Sequence, residues 1–118
     1  MSEESVYSVS DHFRGKEPAV QALYGRLLQI LQGFGPVVEE PKKTSIHLVR
    51  KSALAGVETR KNYLLLNIKA DHRIDSPRLQ KVEQISAQRF HHRLRLDSPA
   101  DLGDGLKGWL KEAYVISG

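Results

Sequence analysis

Arg89-Phe90-His91-His92-Arg93-Leu94-Arg95-Leu96-Asp97 is the stretch on which the fold turns. Phe90, His92, Leu94 and Leu96 alternate with Arg89, His91, Arg93 and Arg95. Successive side chains of an extended chain point to opposite sides, so the order predicts a strand with one apolar and one cationic face. Working outward, Asn62 to Lys69 is dense in leucine and closes on Asp71-His72, which predicts a second strand. Thr44 to Lys51 sets Ile46 and Leu48 against Ser45 and His47 and predicts a third. Val37-Val38 begins a short strand that Pro41 interrupts, and Ala53 to Val57 is a weaker candidate in which Gly56 suggests a bulge or close packing. Ser76-Pro77 pairs a cap residue with a first-turn proline, so a short helix is expected over residues 76–83, with a strand as the competing reading.

Helical period governs the two ends. After Glu17-Pro18, the residues Val20, Leu23, Tyr24, Leu27, Leu28, Ile30 and Leu31 recur at three-and-four spacing, predicting an amphipathic helix over 17–32 stopped by Gly33, Gly35 and Pro36. Ser98-Pro99-Ala100-Asp101 carries the signals of a helix start, and Leu102, Leu106, Trp109, Leu110, Ala113 and Tyr114 then form one stripe. Helix, several strands, helix, without regular alternation, predicts an α+β fold: a two-layer sandwich, its antiparallel sheet of three to five strands covered on one face by the terminal helices. Residues 1–9 are expected to be a flexible arm, with a short helical turn over Asp11 to Arg14, and residues 10–118 a single domain.

Composition narrows the function classes. The chain has 118 residues, 40% hydrophobic and 27% charged, which suits one globular domain. It contains no cysteine, so disulfide frameworks, thiolate zinc sites and cysteine nucleophiles are excluded and the cytoplasm is the expected compartment. The longest apolar run, Tyr63 to Leu66, falls far short of the roughly 20 residues that span a bilayer, and no membrane partner is expected. No glycine-rich phosphate loop and no nucleophile elbow is present.

Charge is segregated along the chain. Residues 42–95 hold thirteen lysines and arginines against four acidic residues, a net +9, whereas the remainder holds five against ten, a net −5. With Ile46, Leu48, Leu64, Leu66, Phe90, Leu94 and Leu96 assigned to the core, parity gathers His47, Lys51, Tyr63, Asn67, Lys69, Arg89, His91, Arg93 and Arg95 on the other face. Such a face attracts phosphate, which arginine grips with two parallel hydrogen bonds. The alternative is a solvated face that serves solubility. His91 and His92 are neighbours in a strand and point apart, so no shared metal is expected. His47 and His91 fall on the same face, where two imidazoles can act as an acid/base pair.

Glu39-Glu40-Pro41-Lys42-Lys43-Thr44-Ser45-Ile46-His47-Leu48, the pair Arg60-Lys61, Lys81-Val82-Glu83-Gln84-Ile85-Ser86 and Arg89-Phe90-His91-His92 together resemble a bacterial domain of unknown function, family 5655, from about Asp11 to Tyr114. More remotely the layout is similar to the YdhG-like and MmcQ/YjbR-like small domains, for some of which DNA binding has been suggested. The resemblance carries no enzymatic activity and no cofactor to this chain. It points to Lys43, His47, Arg60, Lys61, Arg89 and His91, which overlap the basic face; Lys69 and Arg93 join them by parity. The expectation is a non-enzymatic domain that recognises phosphate-bearing ligands or nucleic acid. A small-molecule or enzyme site on His47 and His91, and a homodimer through the sheet, are the alternatives.

Overall fold

The alternation of Arg89–Leu96 is realised as strand β6 in the structure, a computed structural model that describes residues 7–118. In chain order the elements are α1 (Pro18–Gln32), β1 (Val38–Pro41), β2 (Ile46–Val49), β3 (Ala53–Thr59), β4 (Leu64–Ala70), β5 (Leu79–Ser86), β6 (Arg89–Leu96) and α2 (Asp104–Ile116). One-turn 3-10 helices cover Ser10–Phe13 and Pro99–Asp101. The strands form a single six-stranded antiparallel sheet in the order β1-β2-β3-β4-β6-β5. The fold is therefore α+β, with more strands than the three to five expected from sequence.

Apolar positions decide which face is buried. Leu64, Leu66 and Ile68 of β4 stand opposite Leu96, Leu94 and His92 of β6, and all six are fully buried. Val20, Leu23, Tyr24, Leu27 and Leu31 of α1 and Leu106, Leu110, Ala113 and Tyr114 of α2 join the strand leucines in one cluster. Between β2 and β3 the register skips Leu54, so Leu54 and Ala55 both turn inward. The irregularity expected at Gly56 thus lies two residues earlier.

Three local expectations change in detail. The helix expected over 76–83 is a turn followed by β5: Ser76 accepts the Arg78 N–H on its hydroxyl and the Leu79 N–H on its carbonyl, and the chain then pairs with β6. The cap signal was real but closed only a turn, because the ladder with β6 offered more hydrogen bonds than a short, poorly amphipathic helix. Ser98 and Asp101 do form a capping box, but on the 3-10 helix, and α2 starts after Gly103. Pro41 ends β1 rather than interrupting it, on an edge strand where a missing N–H is tolerated. Of the expected arm, residues 1–6 lie outside the described residues; Ser8 exchanges hydrogen bonds with Asp11 and Val9 packs on the core.

The far end of the chain is tied back to the sheet. The Lys51 and Ser52 N–H groups, in the β2–β3 turn, both donate to the Ser117 carbonyl at 3.1 Å. Arg50 lies over the Tyr114 ring, 4.3 Å from its centroid, and donates to the Tyr114 carbonyl. Gly35 has φ +151°, and a Cβ there would run into the Tyr114 hydroxyl, so that position admits only glycine without a shift of the helix.

Leu66 sits at the middle of the central strand with no exposed surface. Leu66→Ala should lower unfolding free energy by about 2–5 kcal/mol, read as a shift of the urea midpoint at unchanged slope.

Candidate functional site

The opposite face of the sheet is built by the same registers. One row of residues crosses all six strands: Glu40, His47, Gly56, Asn67, Arg93 and Lys81. The next row brings Lys69, His91 and Glu83 side by side across β4, β6 and β5. Gly56 has no side chain, so the row is interrupted between His47 and Asn67 and the sheet surface dips there.

Three adjoining hollows follow. One of about 130 Å³ is lined by His47, Gly56, Asn67, Lys69 and His91, with Ala53, Leu54 and Ala55 along one side. A second, of about 150 Å³, shares His47, Gly56 and Asn67 and adds Ser45, Glu58 and Arg93; a third, of about 70 Å³, lies among Asn67, Lys81, Glu83, His91 and Arg93. Asn67 is common to all three.

The cations of this face are not equivalent. Arg93 and Arg60 both reach the Glu58 carboxylate, at 3.2 and 2.9 Å, and Arg95 pairs with Asp97 at 2.8 Å while covering the Tyr63 ring at 3.8 Å from its centroid. Lys69 is different. Only 8% exposed, its ammonium donates to the Ser52 hydroxyl at 2.9 Å, and among the described residues no carboxylate pairs with it. Burial, and secondly the Arg89 guanidinium, push the Lys69 pKa down. The same two causes, joined by the Lys69 ammonium, lower the His91 pKa against an opposing pull from Glu83.

The eight residues expected from sequence divide accordingly. His47, Lys69 and His91 converge on the first hollow, and Arg93 lines the two beside it. Arg89, at the start of β6, acts on that hollow through its charge. Arg60 is held by Glu58, Lys61 lies in the β3–β4 turn and Lys43 in the β1–β2 turn, all away from it. Sequence reasoning missed Lys81 and Glu83 because their segment read as helix, and Glu58 because β3 was ended at Val57. Asn67 and Gly56 were visible as a lone amide among leucines and a glycine within a strand; only the paired registers reveal that they are neighbours.

His92 faces the core, fully buried, and its Nε2 accepts the Ile74 N–H at 2.9 Å. The ring proton is thus on Nδ1, turned toward the Ile68 carbonyl without reaching hydrogen-bond geometry. Among the described residues no three histidine or carboxylate groups converge in a metal-binding arrangement, and no helix is long and apolar enough to cross a membrane.

Burial lowers the His92 pKa from its ordinary 6.5. The unfolded chain then binds more protons than the folded one as pH falls below 6.5, so this group destabilises the fold progressively in that window. Melting temperature measured from pH 8 to pH 5 should drop more steeply for the native chain than for His92→Gln; His91 contributes equally to both curves, and parallel curves would contradict the assignment.

A family model described as "Domain of unknown function (DUF5655)" matches residues 9–117. No curated protein and no solved structure matches the chain.

Proposed function

The chain belongs to the DUF5655 family, and from that footing we propose that it binds a small anion, one phosphate or carboxylate group, in the hollow between His47 and His91. The observation that carries this reading is Lys69: a nearly buried lysine whose ammonium has one hydroxyl partner, facing a hollow that no carboxylate lines. A buried charge is costly unless something compensates it, and an anion in the hollow is the compensation that fits. Lys69, the Asn67 amide and the imidazole N–H groups are the donors available to it. At about 130 Å³ the hollow is smaller than the roughly 300–1,000 Å³ that hold a whole drug-sized ligand, which suits a single anionic group.

An extended nucleic acid is less well served. The aromatic on this face, Tyr63, is covered by Arg95, and Arg60, Arg93 and Arg95 already have carboxylate partners. Stacking platforms and free cations along a track are what single strands need. His47 and His91 lining one hollow also keep a small-molecule site in view over a flat binding sheet.

Sulfate is the discriminating probe, because its charge is constant over the range in which phosphate monoesters titrate, near pH 6. His91 gains its proton only below its ordinary value of 6.5, so sulfate affinity should rise as pH is lowered from about 7.5 to about 5.5. Lys69→Met should weaken binding roughly tenfold or more, while Lys43→Met and Lys61→Met leave it unchanged. Amide shifts of Asn67 and His91 report the site directly. Absence of sulfate-dependent shifts at any pH, or binding indifferent to Lys69→Met, defeats the proposal. Salt-sensitive binding of a short single-stranded DNA that survives Lys69→Met would replace it with the nucleic-acid reading.

A further inference from the structure

The two edges of the sheet are built differently. β1 is four residues long, carries Glu39 and Glu40 and ends in Pro41, and Glu39 is taken by the Tyr24 hydroxyl at 2.6 Å; these features blunt an edge. β5 is eight residues long, contains no proline, and is exposed along most of its length, with Ile85 48% exposed. Among the described residues nothing pairs with its outer side.

Its sequence, Leu79-Gln80-Lys81-Val82-Glu83-Gln84-Ile85-Ser86, is complementary to itself when reversed. Residues directly opposite in an antiparallel pair share a face, so a two-fold axis must pass through a residue and not between two. An axis through Val82 sets Lys81 against Glu83, and the pair occurs twice. An axis through Lys81 or Glu83 instead sets like charges face to face, which is unfavourable. Lys81 and Glu83 enter no ion pair among the described residues, so both are free to do this. The register irregularities at Gln80 and Ile85 leave Lys81 to Gln84 as the regular part of the strand, and Lys81, Val82 and Glu83 at the centre of that pairing fall within it.

We infer that β5 is a homodimerisation edge: two copies pair antiparallel about Val82, Lys81 of each against Glu83 of the other, and their sheets run on into one. The interface is isologous, as a two-fold dimer requires, and it stands apart from the anion-binding proposal. It does place the Glu83 carboxylate, which holds His91 toward its protonated form, next to a partner's ammonium.

Sedimentation equilibrium over micromolar to millimolar concentration tests it, with circular dichroism and melting temperature confirming that each variant is folded. The native chain should dimerise. Glu83→Lys should raise the dissociation constant roughly tenfold or more by setting lysines opposite lysines, and the exchange Lys81→Glu with Glu83→Lys should restore it. A native chain monomeric throughout overturns the inference. So does a dimer that ignores Glu83→Lys, or a folded double variant that fails to reassociate.

Discussion

Pairing of β4 with β6 in a single register is the constraint from which both faces of this sheet derive. Leu64, Leu66 and Ile68 meet Leu96, Leu94 and His92 on the buried face, and by the same ladder Leu65, Asn67 and Lys69 meet Arg95, Arg93 and His91 on the other. A slip by one residue would drive three arginines into the leucine layer, so the hydrophobic effect that seats the leucines also holds the cations in place. The β5–β6 hairpin extends the arrangement by bringing Lys81 and Glu83 alongside, in a sheet wide enough for one row to run from Glu40 to Lys81.

Within that frame the electrostatics are uneven, and the unevenness is what gives the face a site. Glu58 gathers Arg60 and Arg93, and Asp97 holds Arg95, so three of the cations counted along residues 42–95 are answered locally. Lys69 has no such partner among the described residues, and it stands, little hydrated, where Gly56 leaves room. Screening by salt weakens exposed pairs far more than a buried ammonium, which makes Lys69 the cation whose influence persists at physiological ionic strength.

Much of this was legible in the chain. Parity in Arg89–Leu96 and the leucine density of Leu64–Leu66 identified the strands, their inner face and the companionship of His47, Lys69 and His91, because a period of two leaves only one alternative and burial rejects it. Residues 76–83 misled because Ser76-Pro77 is a strong local signal and the ladder with β6 is a non-local one. The bulge at Leu54 was misplaced onto Gly56 for a related reason: glycine advertises an irregularity, whereas an inward-turned leucine advertises only burial. The pairing of Arg93 was invisible, since Glu58 lies far from it in sequence and meets it only across folded strands.

The hydroxyl that steadies the Lys69 ammonium belongs to Ser52, whose own N–H hangs from the Ser117 carbonyl just past the end of α2. The hollow on one face is thereby suspended from a helix on the other by two hydrogen bonds in series. Fraying of that last helical turn would let go of the β2–β3 hairpin tip and, with it, the alignment of the buried Lys69 side chain. The closing residues of the helix are part of the site's scaffolding although none of them touches it.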